Sequence, residues 1–370
     1  GIFTENEAVC IDEIKGIYKS LDSLEGPVPI HRAQALCYGW IYMESHDLER
    51  IDIQMTYGQL DTEEIRRFRE TITRGELEKW YQDLTDEYHK WVSYQLAWRK
   101  KRNASMETLE FPFPYRKGQR EMVAGVYHAI SEEAQIFIQA PTGIGKTMSA
   151  IFPAVRAVGQ GKGETVFYLT ARTITRTVAE DAFSILRGKG LHFKSITITA
   201  KEKMCFCDEM DCDPQKCPYA KGHYDRINDA VYELWTKEEA FDRETILAQA
   251  EKYSVCPFEI TLDLAVWMDG IVCDYNYVFD PNVYLKRFFG ENIKGKYLFL
   301  IDEAHNLVDR GREMYSASLC KEEIESTRRF VRAHSSRLYR MLGKAAKQLE
   351  VLKEESSSSW QVLENAGTLP

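Results

Sequence analysis

Apolar and polar positions change rhythm several times before residue 103. Residues 8–17, AVCIDEIKGI, form an apolar run that gains charge near its end and predict a strand. A turn-rich stretch, SLDSLEGPVP, follows, and HRAQALCYGWIYMES then places apolar residues at helical spacing. IDIQMTYGQL has strand character with a turn after it. From TEEIRRF to about Lys101 the pattern predicts helix, broken only around Gly75. The run Arg99-Lys100-Lys101-Arg102 marks a boundary, either a solvated helix end or linker or a patch facing nucleic acid. The proline-rich FPFPYRKGQ after it cannot be interior helix.

From Arg116 the rhythm becomes α/β. A helix, GQREMVAGVYHAI, leads to a strand, AQIFIQA, a glycine-rich turn and another helix. Strand TVFYLT, helix RTVAEDAFSIL and strand FKSITIT follow, and KYLFLIDEAH at 296–305 reads as a buried parallel strand ending in acids. Alternation at this spacing predicts a parallel sheet with helices on both faces. No internal repeat is visible. The last sixty residues are amphipathic and helical and end in a serine tract. The chain begins inside a strand-rich pattern without Met and stops without a terminating feature, so it reads as a piece of a longer protein.

Composition adds limits. Hydrophobic residues are 44% and charged residues 28% of 370, the balance of a globular protein with a sizeable core. No run approaches the ~18–20 apolar residues that span a bilayer, and no basic start precedes an apolar one. A soluble, cytoplasmic protein is expected, without a membrane partner. The net charge of −9 argues against a uniformly basic surface but leaves a local basic groove open. Nine cysteines are unevenly placed. Cys10, Cys37, Cys273 and Cys320 are scattered and read as small buried hydrophobes. Cys205, Cys207, Cys212 and Cys217 fall within thirteen residues.

Two motifs carry phosphate chemistry. Ala140-Pro141-Thr142-Gly143-Ile144-Gly145-Lys146-Thr147 is a P-loop whose first glycine is replaced by Ala140. Gly143 and Gly145 let backbone N–H groups turn inward around phosphates. Lys146 reaches the β- and γ-phosphates, Thr147 offers a hydroxyl to Mg²⁺, and the next helix points its N-terminus at the same anion. Asp302-Glu303-Ala304-His305 supplies the acids that ATP hydrolysis needs. Asp302 holds the metal and Glu303 polarises the attacking water. Each motif alone occurs by chance; together, in this order and each on its own strand, they specify an ATPase.

Between them lies the cysteine segment. Cys205, Cys212, Cys217 and Cys256 have the spacing C-x6-C-x4-C-x38-C, with Cys207 a rival for the first place. Four thiolates suit a structural zinc or a [4Fe–4S] cluster, and the tight C-x2-C pairs usual for zinc are absent. His223 nearby reads as a surface or core histidine.

A four-cysteine insert between a P-loop strand and a DEAH strand resembles the iron–sulfur superfamily 2 helicases, the XPD and DinG group. The resemblance implies a [4Fe–4S] cluster on Cys205, Cys212, Cys217 and Cys256, Cys205 being preferred because it directly follows KEKM. It also implies ATP and Mg²⁺ as cofactors, single-stranded DNA as partner and 5′→3′ translocation in DNA repair or recombination. YRKGQREM resembles the adenine-contacting segment of the group, with Gln119 as base reader and Arg116 in support. TARTITR resembles the segment that grips the DNA backbone, where Thr170, Arg172 and Thr173 would donate to phosphates without reading sequence. His305 resembles the residue that couples nucleotide state to DNA-binding elements. VCDYNYVFDP resembles the return from the cluster domain to the motor sheet, with Tyr275, Asn276 and Tyr277 either lining the DNA path or packing the core.

The front end carries a second resemblance. A strand with Glu13-x-Lys15, followed by a helix with Gln34-x3-Tyr38, resembles the RecB-like PD-(D/E)xK nucleases, in which two acids bind Mg²⁺ beside a lysine. The acid of the preceding strand would lie upstream of residue 1.

The expected fold is therefore α/β: a RecA-like motor with a cluster insert and the start of a helical arch, preceded by the C-terminal part of a nuclease-like domain. The division is 1–103 nuclease-like domain and helical linker, 104–200 first part of the motor, 201–262 cluster insert, 263–312 motor with DEAH box, and 313–370 start of the arch. A second motor domain with its arginine finger is expected beyond residue 370, so the piece alone should hydrolyse ATP slowly and unwind nothing. Two other readings stay open: a nuclease with an ATP-gated DNA clamp, and a non-enzymatic zinc-bearing DNA-binding module.

Overall fold

The computed structural model describes residues 1–5, 7–141, 143–171 and 173–356. The N-terminal part is a four-stranded sheet of β1 (Ile2–Glu5), β2 (Ala8–Ile17), β3 (Arg50–Gln59) and β4 (Ile65–Thr73), in the order β1-β2-β3-β4. β2 and β3 are parallel, and the outer pairs are antiparallel. The β2–β3 crossover is α1 (Pro29–His46), which packs Ala35, Leu36 and Met43 against Ile11, Ile51, Ile53 and Tyr57. Alternate residues of β3 face the other way and are polar, yet Asp52, Gln54 and Thr56 are buried. Burial is tolerable there because partners are supplied: Arg69 and Thr71 donate to Asp52, and Thr56 donates to Asp12.

The stretch expected to open a long helix at TEEIRRF instead forms β4. Its charged residues gave it helical character, but its exposure alternates residue by residue, with Phe68 and Ile72 turned inward. That period of two fits the antiparallel pairing with β3, and pairing overrides propensity. The helix starts at the expected break. Thr73 and Glu76 form a capping box ahead of α2 (Arg74–Glu107), whose 34 residues span about 51 Å.

The α2 helix belongs to two cores. Near its start Tyr81 stacks on Trp40 of α1 at 5.6 Å. Further along, Trp91 packs on Trp235 and Trp267, at 5.7 and 5.1 Å. The basic run at 99–102, expected at a break or linker, lies inside the unbroken helix. Arg102 is buried there, its Nη1 2.6 Å from Asp269 Oδ1, while Trp98 Nε1 donates to Asp269 Oδ2 at 2.9 Å.

Beyond α3 (Gln119–Ser131) and α4 (Lys146–Gly159) the chain builds a second sheet from β5 (Thr165–Leu169), β6 (Ser195–Thr197), β7 (Ala240–Phe241), β8 (Gly270–Cys273) and β9 (Tyr297–Ile301). The order is β7-β6-β8-β5-β9, and every pair is parallel. α5 (Thr173–Gly188) joins β5 to β6; α6 (Lys201–Met204) and α7 (His223–Lys237) lie between β6 and β7. α8 (Arg243–Tyr253) and α9 (Pro257–Ala265) connect β7 to β8. α10 (Asn276–Phe279) and α11 (Lys286–Phe289) lead to β9, and α12 (Leu307–Met314), α13 (Lys321–Val331) and α14 (Ser336–Glu355) follow.

Side chains of β5 alternate between two cores, as strands covered on both faces require. Val166 and Tyr168 join Ile151, Val155 and Phe183 on one face; Phe167 and Leu169 join Trp235, Ile260 and Ile271 on the other. The expected parallel sheet with helices on both faces is therefore present. Two expectations within it are corrected. Residues 134–140, AQIFIQA, form no strand: the segment has no ladder partner, and Phe137 stays 89% exposed. β9 is an edge strand rather than a buried one, because among the described residues only β5 pairs with it, and Phe299 stays exposed. Among the described residues no helix is long and apolar enough to cross a membrane.

Candidate functional site: a phosphate loop facing an acidic turn

The glycine-rich loop enters α4 through two left-handed residues, Gly143 and Gly145, both with φ +81°. At Gly145 a side chain would be strained by the backbone and would displace a neighbour. The conformation disfavours L-residues, and a Cβ would stand 2.8 Å from the Gln119 carboxamide. Gln119 is buried under the loop, where its Nε2 donates to the Ile144 carbonyl and its Oε1 accepts from the Arg116 N–H, both at 3.0 Å. Arg116 Nη1 donates to the Gly143 carbonyl. Both residues assigned to the base thus also brace the loop. Thr142 lies outside the described residues, while Ala140 and Pro141 lead into the loop without regular structure.

Across the site, β9 ends in a tight turn. Glu303 adopts φ +49°, left-handed for a non-glycine residue, and projects its carboxylate toward the loop. Its Oε1 is 3.3 Å from Lys146 Nζ, and its Oε2 is 3.5 Å from His305 Nδ1. Thr147 and Asp302 meet through Tyr168 on β5. The Tyr168 hydroxyl is 3.3 Å from Thr147 Oγ1, and the Asp302 carboxylate is close enough to help raise its pKa. Burial, seconded by the charge of Glu303, raises the Asp302 pKa; burial also raises that of Tyr168. The Thr147 hydroxyl and the Asp302 carboxylate thus both neighbour Tyr168, on the side of the loop where Lys146 and Glu303 pair. Sequence reasoning missed Tyr168, since a tyrosine inside an apolar strand reads as core.

The segment after β5 is only partly described. Arg172 lies outside the described residues, and nothing is described of the Thr173 side chain. Thr170 is buried, with its hydroxyl against that of Thr175, so reaching a phosphate would require those hydroxyls to separate. Arg176 pairs with Asp274 at 3.4 Å. Tyr275 and Tyr277 are buried and pack in the core, the second of the two roles open to them.

All five cysteines of the middle segment line one cavity of about 220 Å³ between the loop after α6 and the start of α9. Cys205 ends α6, and Cys256 caps α9 ahead of Pro257. Desolvation, then contact with the Cys217 and Cys205 thiols, pushes the Cys207 thiol up to about 11. Lys201, not singled out by spacing, lines the same cavity, and the nearby Cys212 thiol raises the lysine pKa. His223 is buried, and its Nδ1 accepts the Cys256 N–H at 3.3 Å. Among the described residues no three His, Cys, Asp or Glu side chains are grouped as around a single metal ion. The thiols instead stand around the cavity wall.

In the N-terminal sheet the four expected residues form a chain of contacts. Glu13 and Lys15 pair at 2.6 Å, Lys15 donates to Gln34 Oε1 at 3.0 Å, and Gln34 Nε2 donates to the Tyr38 hydroxyl at 3.3 Å. His31, one helical turn before Gln34, faces the same pair. Burial lowers its pKa, with opposed contributions from Lys15 and Glu13, and its Nδ1 is 3.2 Å from the Tyr57 hydroxyl. Asp12 points to the opposite face, toward Thr56.

A phosphate loop facing an acidic strand end beside a parallel sheet is the arrangement of P-loop nucleotide sites. Residues 116–239 match the DEAD/DEAH box helicase family, and residues 192–324 match the DEAD_2 family. Together the matches take in the P-loop, the cysteine segment and the DEAH turn, and ATP and Mg²⁺ are the cofactors that helicase domains imply. Similar proteins include the Fanconi anemia group J protein homolog of Gallus gallus, 33% identical over 90 residues, covering 24% of this chain and 7% of that one. The regulator of telomere elongation helicase 1 of Homo sapiens is 22% identical over 268 residues, 59% of this chain and 22% of that one. Its homolog in Caenorhabditis briggsae is 23% identical over 270 residues, 60% and 27%. The chain thus spans about a quarter or less of the curated relatives it matches. Among solved structures, one titled "Truncated XPD" aligns with TM-score 0.44 at 20% identity, over 64% of this chain and 65% of that one.

Proposed function

We propose that the chain is the ATP-binding first motor segment of an iron–sulfur superfamily 2 DNA helicase, joined through α2 to a RecB-like nuclease domain. The observation that carries the ATPase reading is the meeting of Lys146 with Glu303, and of Thr147 with Asp302 through Tyr168. The helicase matches over 116–324 support the helicase part of the reading. On this reading, incoming γ-phosphate draws Lys146 from Glu303, which frees that carboxylate to orient water. Thr147 and Asp302 would hold Mg²⁺, while Arg116 and Gln119 brace the loop, and Gln119 would have to exchange a backbone contact to read the base. Thr170, Arg172 and Thr173 contact the strand backbone, with 5′→3′ movement in DNA repair or recombination. The motor spans 104–200 and 263–312, the cluster insert 201–262 and the start of a helical arch 313–370, with 1–103 nuclease-like.

Cys205, Cys212, Cys217 and Cys256 would hold a [4Fe–4S] cluster. A cavity with thiols spread round its wall, beside the Lys201 ammonium, suits several irons better than one zinc. When bound, the cluster supplies thiolate bonds that tie the loop after α6 to α9.

The chain Glu13–Lys15–Gln34–Tyr38 favours nuclease chemistry at the front end, with Glu13 as one metal ligand and Lys15 as the charge-stabilising cation. In the full-length protein, Lys146→Ala should abolish DNA-stimulated ATP turnover and unwinding, while Glu13→Ala should remove only Mg²⁺-dependent cutting. Unwinding that survives Lys146→Ala would overturn the motor reading. Cutting that survives Glu13→Ala would overturn the nuclease reading.

A further inference from the structure

Three consecutive residues after β8 touch three parts of the motor. Tyr275 is fully buried, and its hydroxyl donates to the Asp302 carbonyl while lying 3.3 Å from that of Glu303. Those carbonyls flank the left-handed Glu303, whose own carbonyl also accepts from Asn306 Nδ2 at 3.1 Å. One residue earlier, the Asp274 carboxylate accepts from Arg176 of α5 at 3.4 Å and from Arg310 of α12 at 3.1 Å. One residue later, Asn276 Oδ1 accepts from the same Arg310 nitrogen at 3.1 Å, and its N–H returns to Asp274. The Nε atoms of Arg176 and Arg310 are buried without a hydrogen-bond partner, so each guanidinium keeps a donor in reserve.

We propose that Asp274, Tyr275 and Asn276 form a rigid link through which α5 and α12 set the backbone of the DEAH turn, with Tyr275 the positioning residue for Glu303. The proposal rests on the motor reading above, since it gives that reading a path from the DNA-facing start of α5 to the hydrolytic carboxylate. A strained turn keeps its conformation only where its surroundings over-determine it. Here the hydroxyl of Tyr275 does so from a residue adjacent to the one that α5 and α12 both grip. Displacement of α5 by a bound strand would move Asp274, and with it the hydroxyl that orients Glu303.

The test uses the full-length protein, with ATP turnover measured with and without single-stranded DNA beside thermal melting. Tyr275→Phe keeps the ring and should lower kcat about fivefold, the effect of one lost hydrogen bond, with KM for ATP within about twofold. Asp274→Asn should lower the ratio of DNA-stimulated to unstimulated turnover, and the double variant should be no slower than the worse single one. Unchanged kcat in Tyr275→Phe, a loss mirrored in KM, or multiplicative effects would overturn the link. If Tyr275→Phe fails to fold, Arg310→Lys on the outer side of the link should lower the same stimulation ratio, and a normal ratio there would overturn it. Wild-type protein without DNA-stimulated turnover would sink the motor reading and the link with it, whereas normal wild-type stimulation with silent variants sinks the link alone.

Discussion

Lys146 Nζ lies 3.3 Å from Glu303 Oε1, although 157 positions separate them in the chain. On the proposed roles, the cation that would bind phosphate here pairs with the carboxylate that would orient water. Bound nucleotide would compete for Lys146 and release Glu303. Glu303→Gln should bind ATP as well as wild type and lose turnover about 100-fold or more, the scale for losing a positioned general base. Lys146→Ala should lose binding as well. Fluorescent-nucleotide titration beside turnover assays on the full-length protein separates the two; equal ATP affinities in both variants would contradict the proposed roles.

Asp302 gives a pH dependence with a definite sign. Burial and the neighbouring Glu303 raise its pKa, so the folded state binds its proton more tightly than the unfolded chain does. The protonated form therefore favours the fold at low pH, and that stability is lost as pH rises from the ordinary aspartate value through the raised one. Above that window the metal-free fold carries a buried charge that Mg²⁺ would relieve. Asp302→Asn should melt about 2 °C or more higher than wild type at neutral pH without nucleotide. It should also lose the further stabilisation that Mg²⁺ and ATP give the wild type. A metal-free variant that melts lower at neutral pH would contradict this assignment.

How far these sites were legible depended on whether a residue's work was local. Lys146 and Asp302 announce themselves because a phosphate loop and an acidic strand end each need fixed residues at fixed spacing. The chain Glu13–Lys15–Gln34–Tyr38 was legible for a similar reason: a strand brings alternate residues to one face, and i, i+4 brings residues together on a helix. Tyr168 and Tyr275 act across the fold, through contacts 21 and 27 positions away, and nothing near them in sequence separates a working hydroxyl from a core ring. β4 was misread because charge suggested a helix face, while pairing with β3 was the deciding term. Residues 134–140 have the apolar character of a strand but no ladder, since β propensity without a paired neighbour does not make one.

The buried pair of Arg102 and Asp269 fastens α2 to the second sheet. The two side chains are 10% and 5% exposed, and Asp269 Oδ2 also accepts from Trp98 Nε1 and the Lys194 N–H. Losing one partner leaves the other buried and unpaired, at a cost of about 3–5 kcal/mol. Asp269→Ala should show this cost in chemical denaturation. Because α2 is shared by both cores, calorimetry should resolve separate melting of the N-terminal sheet and the parallel sheet in the variant, against a coupled transition in wild type. A variant that melts as one unit within about 1 kcal/mol of wild type would show that α2 is fastened elsewhere, with the tryptophan stack around Trp91 the next contact to test.

The five thiols lining one cavity allow the ligands to be told from the bystander. On the proposed assignment, Cys212→Ser, Cys217→Ser and Cys256→Ser should each lower bound iron and acid-labile sulfide well below the four per chain expected of wild type, with loss of visible charge-transfer absorption. Cys207→Ser should keep both. Its thiol lines the same cavity beside those of Cys205 and Cys217, but the proposed ligand set does not use it. Anaerobic purification with iron, sulfide and zinc analysis of the set decides the matter. Zinc at one per chain without sulfide would replace the cluster by a mononuclear site. Loss of iron in Cys207→Ser with retention in Cys205→Ser would move the first ligand two residues along the chain.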